Sequence, residues 1–508
     1  MRRLWLTVTV AIGLLAASIP AGPGQAAAAA SPAAPSKAVT WGSCPGPDIG
    51  RDPRQQCATV AVPLDYRKPR GRTIDVAISR VPAAPGQRRG ILLTNPGGPG
   101  VPGLDLPSLL PVLFPAEVLN RYDVIGMDPR GVGASTPISC GISADTPLDL
   151  LLPYPAPDGS ISRNVAFARS FAAGCAQHSG DLLPFITTAN TARDMDVVRT
   201  ALGERRLSFF GGSYGTYLGA VYATLFPRHT DRMVFDSAID PRLVWRGFYR
   251  SWSEATALRL PDFTGWAAAR DATYHLGATG RAVAGSYFAI AARLDRTPVT
   301  LPDGTLVNGN TFREYTRLQL TNDANFPGLA AGWRYFATGA GTAPVIPRFA
   351  DNYVSVLNAI ACNDTAWPRD PAVYARDVAV DRRLFPVAAG MPANIRSCAF
   401  WPHQPLEPPV RVTGRGPRNV LIVQNTRDPS TSWRNALGLR VALGRRAVLV
   451  TVNAGGHIAL GRGTCADTAA ARFLTTGRLP AGDQLCPGPQ PDDSPPTGAS
   501  APAAAPMR

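Results

Sequence analysis

One five-residue segment constrains the fold of this chain more than any other. Residues 211–215 read Gly-Gly-Ser-Tyr-Gly, follow an apolar run at 207–210 and precede a helical pattern at 216–226. Glycines on both sides of a serine permit a sharp turn, because they remove Cβ atoms that would otherwise clash. A turn of this kind presents the hydroxyl at the carboxyl edge of a sheet, where a helix N-terminus favours negative charge. We therefore predict Ser213 as a nucleophile; the alternative is a glycine-rich connector carrying an ordinary serine.

Short apolar runs, bounded by turn signals, alternate with helical patterns along most of the chain. This alternation indicates a mostly parallel sheet covered by helices. Together with the serine turn, it predicts the α/β-hydrolase fold. The six predicted strands are residues 90–94, 121–128, 207–210, 232–236, 419–424 and 447–452.

The 508 residues exceed what a single hydrophobic core usually supports. The stretch 241–408 interrupts the strand pattern, is rich in Trp, Tyr, Ala and Arg, and has apolar residues at helical spacing. We predict that it is an inserted, mainly helical cap domain. The hydrolase core then comprises residues 41–240 and 409–486.

Both ends of the chain have compositions that differ from the core. Two arginines, a short apolar run and a small-residue stretch predict a signal peptide at residues 1–30, and hence a secreted, extracellular protein. A retained membrane anchor is the alternative, but the apolar run is short for a membrane span. Residues 31–40 are predicted to be a linker and 487–508 a disordered tail, because both lack large apolar residues.

Eight cysteines agree with an oxidising compartment. They fall into pairs that are local in sequence, which predicts four nearest-neighbour disulfides. Metal binding is the alternative, but the spacing lacks the short repeats of zinc sites, so we predict no metal. The cysteines are Cys44, Cys57, Cys140, Cys175, Cys362, Cys398, Cys465 and Cys486.

The formal net charge of +15 comes almost entirely from arginine, with lysine only at Lys37 and Lys68. Arg, Ala, Pro and Gly are all favoured by a GC-rich coding sequence, which accounts for this skew. No basic run or nucleic-acid-binding motif is present in the sequence. We therefore predict no nucleic-acid partner.

A serine hydroxyl needs a base within hydrogen-bond reach and a third group that orients this base. In this fold an acid and then a histidine follow the serine along the chain. His457 follows the last predicted strand on a glycine-containing loop, whereas the other four histidines lie elsewhere. Asp428 follows the preceding predicted strand and stands before Pro429, which blocks regular structure. We predict Ser213, Asp428 and His457 as a catalytic triad; a turn-forming aspartate is the alternative for Asp428.

The tetrahedral intermediate of acyl transfer requires N–H donors for its oxyanion. Tyr214, directly after the serine, is expected to supply one. Residues 95–100 read Asn-Pro-Gly-Gly-Pro-Gly, and the prolines lack an N–H, which leaves Gly97 and Gly98 as donors. We predict Gly98 as the second donor; a glycine–proline turn without a role is the alternative. The loop at 128–135 is predicted to be structural.

The loops 95–100, 128–135, 211–215 and 428–431, with the glycines before His457, resemble those of the secreted tripeptidyl aminopeptidases of actinobacteria. These enzymes are related to the proline iminopeptidases. The resemblance covers most of residues 40–487. It implies removal of short peptides, typically tripeptides, from free N-termini, with a cap that limits access, and it implies pairing of local cysteines.

In this family a cap acid is expected to hold the ammonium group of the substrate. The segment 359–364 looks like the corresponding acidic motif, which makes Asp364 the candidate; a helix-capping or exposed aspartate is the alternative. A carboxylate at a fixed distance from the serine would select for a free amine through a charge-assisted hydrogen bond.

Two other functions fit the same residues. A secreted esterase or lipase would use the same triad, and a non-catalytic binding protein would keep the fold without needing the triad. The predicted chemistry needs no cofactor, and no phosphate or dinucleotide motif stands in the required context. We expect peptide substrates as partners and no stable membrane anchor.

Overall fold

The computed structural model describes residues 39–48 and 50–489. The predicted signal peptide at 1–30, most of the predicted linker and residues 490–508 of the predicted tail lie outside the described residues.

Eleven strands are formed in the described part of the chain. They are β1 (Gln56–Pro63), β2 (Thr73–Val81), β3 (Gly90–Asn95), β4 (Tyr122–Met127), β5 (Leu207–Gly212), β6 (Thr230–Asp236), β7 (Val299–Thr300), β8 (Leu306–Val307), β9 (Val420–Arg427), β10 (Ala447–Gly455) and β11 (Gln484–Cys486).

Nine of these strands form one sheet in the order β1-β2-β4-β3-β5-β6-β9-β10-β11. The pairs β1–β2 and β2–β4 are antiparallel, and the pairs from β4 to β11 are parallel. The six predicted strands are confirmed as β3, β4, β5, β6, β9 and β10. Because their carboxyl ends lie at one edge of the sheet, the loops that follow them meet there.

Fifteen α-helices accompany the strands in the described ranges of the chain. They are α1 (Leu106–Leu109), α2 (Ala116–Leu119), α3 (Leu148–Leu151), α4 (Ser162–Ser179), α5 (Thr188–Ala201), α6 (Tyr214–Leu225), α7 (Arg246–Ala268), α8 (Asp271–Tyr274), α9 (Gly280–Arg296), α10 (Gly309–Gln319), α11 (Phe326–Thr338), α12 (Asp351–Asp364), α13 (Pro371–Leu384), α14 (Trp433–Leu443) and α15 (Cys465–Thr476). Within residues 39–48 and 50–489, none combines the length and apolarity needed to cross a membrane.

The chain between β6 and β9, which are neighbours in the sheet, runs through helices α7 to α13 and the small hairpin β7–β8. Many of these helices pack on a hydrophobic cluster of their own, which includes Phe263, Tyr287, Phe312 and Trp333. A separate cluster lets a long insertion fold beside the sheet without disturbing its strand order. The boundaries at 241 and 408 stay a prediction.

The loop after β4 braces the sheet. The carboxylate of Asp128 accepts the N–H groups of Gly103 at 2.7 Å and Leu104 at 3.1 Å. Arg130 and Asp194 form an ion pair at 2.6 Å in which both side chains are fully buried. These contacts agree with the structural role predicted for this loop.

All eight cysteines are paired in the structure, and each bonds its nearest neighbour in sequence. The predicted pairing is therefore confirmed. The disulfides are Cys44–Cys57, Cys140–Cys175, Cys362–Cys398 and Cys465–Cys486.

Candidate active site

Ser213 occupies the turn between β5 and α6, with φ 53° and ψ −121°. A positive φ is uncommon for a residue with a side chain and is held only where the surrounding structure requires it. The flanking glycines make this turn possible because they let the backbone pack closely. A Cβ on Gly211 would lie only 2.5 Å from the Gly215 carbonyl oxygen. A Cβ on Gly215 would lie 2.9 Å from the Asn95 carbonyl oxygen. The turn thus presents a partly exposed serine at the carboxyl edge of the sheet.

His457 and Asp428 lie together on the loops that follow β10 and β9. The Nδ1 atom of His457 is 2.9 Å from Oδ2 and 3.1 Å from Oδ1 of Asp428. The Asp428 side chain is fully buried, whereas 19% of the His457 side chain is exposed. With Nδ1 donating to the carboxylate, Nε2 is the nitrogen that can accept a proton.

Several donors converge on the Asp428 carboxylate. The N–H groups of Ser430 and Thr431 donate to Oδ1 at 2.8 Å each, and the Thr431 hydroxyl donates to Oδ2 at 2.8 Å. Burial alone would raise the pKa of Asp428, but the charge of His457 and these hydrogen bonds outweigh it and hold the pKa below its usual value. Asp428 therefore stays ionised, and Thr431 supports it through both its N–H and its hydroxyl.

The pKa of His457 is displaced in the opposite direction. Burial favours the neutral ring, but the charge and hydrogen bond of Asp428, followed by the charge of Asp236, raise the pKa above its ordinary value. This arrangement strengthens the imidazole as a base and stabilises the imidazolium that forms when it takes a proton.

Asp236, at the end of β6, joins the serine turn to the histidine loop. Its backbone carbonyl accepts the Ser213 N–H at 2.9 Å. Its carboxylate accepts the N–H groups of Ala459 at 2.8 Å and Leu460 at 3.0 Å. Burial raises the pKa of Asp236 to about 6. Sequence reasoning missed this role; the available signal was an aspartate ending the strand that follows the serine unit.

The Ser213 and His457 turns lie side by side, although no hydrogen bond joins the Ser213 hydroxyl to His457 in the described residues. A Cβ on Gly212 would lie 3.1 Å from the side chain of Ile458, which is next to His457. The Ile458 N–H also donates to the Ser237 hydroxyl at 2.9 Å. Catalytic hydrogen bonds are often long without substrate and shorten only in the complex, so a small ring movement is expected on binding.

The loop at 95–100 approaches the serine closely. Gly97 has φ +104°, and a Cβ there would lie 2.9 Å from the Cβ of Ser213 and 3.3 Å from the Tyr214 nitrogen. The Gly97 N–H donates to the Asn95 side chain at 3.1 Å. This leaves the N–H of Gly98 and that of Tyr214, the first residue of α6, as the candidate donors to an oxyanion.

Asp364 lies at the end of α12 and is buried. Its carboxylate accepts the N–H and hydroxyl of Thr188 at 2.8 and 2.6 Å and the indole N–H of Trp245 at 3.0 Å. Thr188 also lies within hydrogen-bond distance, 3.0 Å, of the Tyr214 hydroxyl. Burial raises the pKa of Asp364 to about 6. The Thr188 side chain therefore links Asp364 to Tyr214, the first residue of helix α6.

A metal site would need a cluster of ligating side chains. Across the described ranges, no group of three or more His, Cys, Asp or Glu side chains is arranged to hold a metal ion.

The sequence is similar to several known proteins. A family model described as "TAP-like protein" matches residues 386–486, which include Asp428 and His457. The "Tripeptidyl aminopeptidase" of Streptomyces lividans is 34% identical over 490 residues, covering 91% of this chain and 89% of that protein. "Carboxylesterase B" of Mycobacterium tuberculosis is 32% identical and covers 96% of this chain and 98% of its own. "Serine protease Hip1" of the same organism is 28% identical, with 88% and 91% covered.

The strand order places this chain among the α/β-hydrolases, and its likeness to the Streptomyces enzyme extends over nearly all of its length. Identity of 34% across 91% of the chain shows that it belongs to the tripeptidyl aminopeptidase family.

Proposed function

We propose that the protein is a secreted serine exopeptidase that releases short peptides, tripeptides above all, from free N-termini through an acyl-enzyme. The observation that carries this proposal is the hydrogen bond between His457 and the buried Asp428, on loops that meet the strained Ser213 turn. The choice of peptides as substrates rests on the relatives named as tripeptidyl aminopeptidase and serine protease.

In the proposed reaction, the Ser213 hydroxyl attacks the scissile carbonyl carbon while Nε2 of His457 takes its proton. The ionised Asp428 stabilises the imidazolium. The N–H groups of Tyr214 and Gly98 stabilise the oxyanion. His457 then returns the proton to the leaving amine, and water releases the peptide from Ser213 by the same steps.

We retain Asp364 as the proposed binding group for the ammonium of the substrate. A carboxylate has about four acceptor positions, and three are used by Thr188 and Trp245, which leaves one for an added donor. A small cavity adjoins Asp364 and is also lined by Tyr217 and Glu407. An ammonium in this cavity would keep Asp364 ionised by lowering its pKa.

We also propose that the protein acts outside the cell. Four disulfides favour an oxidising compartment. Export through the predicted leader at 1–30 would deliver the chain to such a compartment. N-terminal sequencing of protein recovered from culture medium tests this, and a chain found only in the cytoplasm would contradict it.

A panel of fluorogenic substrates tests the activity. It contains tripeptidyl amides with free and blocked amines, single-residue amides and simple esters. We expect the free-amine tripeptides to have the highest kcat/KM. Equal cleavage of the free and the blocked peptides would show that Asp364 does not bind the substrate ammonium. Asp364→Asn should selectively lower kcat/KM for the free-amine substrates.

Esterase activity is a second candidate, because one relative of 32% identity is named a carboxylesterase. It would use the same acyl-enzyme, so the triad does not separate the two. Turnover of esters without turnover of any peptide amide would favour this alternative.

The nucleophile is tested separately by Ser213→Ala. We expect loss of turnover and of labelling by a fluorophosphonate, with an unchanged unfolding temperature. Ser160→Ala, on an exposed turn, serves as the control. Retained labelling in Ser213→Ala would exclude this serine as the nucleophile.

A further inference from the structure

Arg396 is a buried cation that has no hydrogen-bonding partner among the described residues. The residue is 6% exposed, and its Nε and Nη2 atoms are buried and make no hydrogen bond in the described residues. One face of the guanidinium lies 3.8 Å from the ring centroid of Tyr249. Stacking of this kind fixes the plane of the guanidinium and leaves its N–H edge to bind a planar anion. Burial of an uncompensated charge is costly, which indicates that a partner is missing.

A second unused donor lies beside Arg396. The indole Nε1 of Trp252 is also buried without a hydrogen bond in the part of the chain that the structure describes. The Cζ atom of Arg396 is 5.9 Å from the Trp252 ring centroid. Two neighbouring side chains therefore offer N–H groups and no acceptor, which favours an anionic ligand over a cationic one.

The charges around these donors leave an excess of one positive charge. Arg317 stacks on Trp252 at 4.7 Å and forms an ion pair with the buried Glu314. That pair is internally neutral, and the Glu314 carboxylate also accepts the Tyr154 hydroxyl. Arg396 is thus the uncompensated member of the cluster, and burial lowers the pKa of its guanidinium. A single carboxylate would balance the cluster.

Arg396 lines a small cavity. Asn358 and Ser397, whose side chains hydrogen-bond to each other at 2.7 Å, line the same cavity, and the remaining lining is mostly apolar. The disulfide between Cys362 and Cys398 fixes the chain two residues after Arg396. The cation therefore stands on a rigid segment at the wall of this cavity.

Helix α12 connects this cavity to the serine loops. Val354 lines the cavity, and one residue earlier the Tyr353 carbonyl faces the loop at 95–100, where a Cβ on Gly100 would lie 2.8 Å from it. Aromatic rings form a second connection. From Tyr214, the ring of Trp245 is 5.8 Å away, and from there the ring of Tyr249 is 6.4 Å away.

We infer that Arg396 and Trp252 form a subsite that binds a carboxylate of the peptide substrate. The carboxylate comes from an acidic side chain or from the C-terminus of a short peptide. This inference rests on the proposed peptidase function and adds a charge preference to it.

Matched substrates distinguish the two sources. Tripeptidyl amides with Glu or Gln at each position in turn test whether the carboxylate comes from a side chain. Tetrapeptides with free or amidated C-termini test whether it comes from the C-terminus. We expect one pair to differ by about 10-fold to 100-fold in kcat/KM in favour of the carboxylate, as for other charge-assisted hydrogen bonds. The neutral peptides report the peptidase activity itself, so its absence is separable from a failure of the subsite.

Variants assign the preference to its residues. Arg396→Met should bring the ratio of kcat/KM for the carboxylate-bearing peptide over its neutral match to about one, and Arg396→Lys should restore part of this ratio because the charge stays but the planar fork is lost. Trp252→Phe removes only the indole N–H and should reduce the ratio less. Arg270→Met is the control, because this arginine stacks on Trp266 at 4.4 Å but is exposed.

Two further measurements keep the inference testable without turnover. Calorimetric binding of the same peptide pairs to Ser213→Ala gives the ratio of Kd values directly. The unfolding temperature of Arg396→Met should be no lower than that of the wild type, because an unpaired charge is removed. Equal Kd values within every pair, or marked destabilisation of Arg396→Met, would overturn the inference.

Discussion

The N–H of His457 donates to the carbonyl of Thr321 at 2.7 Å. Thr321 follows helix α10 of the insertion, so the backbone of the candidate base is bonded directly to the segment between β6 and β9. The position of His457 therefore depends on how this insertion is seated as well as on the sheet.

We predict that Gly456→Ala lowers kcat by about 10-fold or more, because a displaced catalytic group loses effective concentration. Gly456 has φ +94°, and a Cβ there would lie 2.9 Å from the Thr321 carbonyl oxygen and 2.7 Å from Arg462. The control is Gly463→Ala, since Gly463 has φ +68° but open space around it. Steady-state kinetics of both variants check this; equal effects would show that backbone strain, and not contact with the insertion, is responsible.

Asp236→Asn should lower kcat by about 10-fold to 100-fold with little change in KM, because an amide has only one acceptor oxygen for two buried N–H groups. Those groups, on Ala459 and Leu460, hold the chain directly after the histidine loop. Asp231→Asn is the matched control on the same strand, since Asp231 instead pairs with Arg89. A wild-type kcat for Asp236→Asn would contradict the positioning role.

The central strands were predictable because β3, β4, β5 and the first part of β9 and β10 are buried and mostly apolar, and β6 has a buried apolar centre. Strands β1 and β2 were missed, since the buried residues of β1 are separated by more exposed ones and polar residues interrupt the apolar run of β2. Strand β11 has only three residues, too few for a pattern.

The positions of the triad and of the two oxyanion donors followed from a general property of parallel sheets, whose carboxyl ends lie at one edge, whereas Asp364 was predicted from the family resemblance alone. The contacts that hold these residues did not follow. Asp236 contacts residues more than 220 positions away, and Thr321 reaches His457 only through the packing of the insertion. Pairings of this kind depend on tertiary structure, and local sequence has no pattern for them.

The acid limb of the pH profile of kcat/KM should lie at a pH above the ordinary pKa of histidine. His457 must be neutral to accept a proton, and its raised pKa means that kcat/KM falls as the pH drops through a value above about 6.5. Asp428→Asn removes the charge that raises this pKa, so the limb should move to lower pH while the maximal rate falls by about 10⁴. Profiles of kcat/KM from pH 4 to 9 measure both effects. Asp303→Asn, at an exposed turn, should match the wild type, and an unmoved limb in Asp428→Asn would rule out this coupling.

Arg130→Met should destabilise the fold by about 3–5 kcal/mol, because it leaves the carboxylate of Asp194 buried without its partner. Both side chains are fully buried, and Arg130 also donates to the carbonyl of Leu64. The double variant Arg130→Met/Asp194→Asn should lose less than the sum of the single losses, because it removes the stranded charge. Urea unfolding at pH 7 measures these differences. The exposed pair Arg72–Asp181 provides the comparison, and its loss should cost about 1 kcal/mol or less. Additive losses in the double variant would mean that the two buried charges do not stabilise each other.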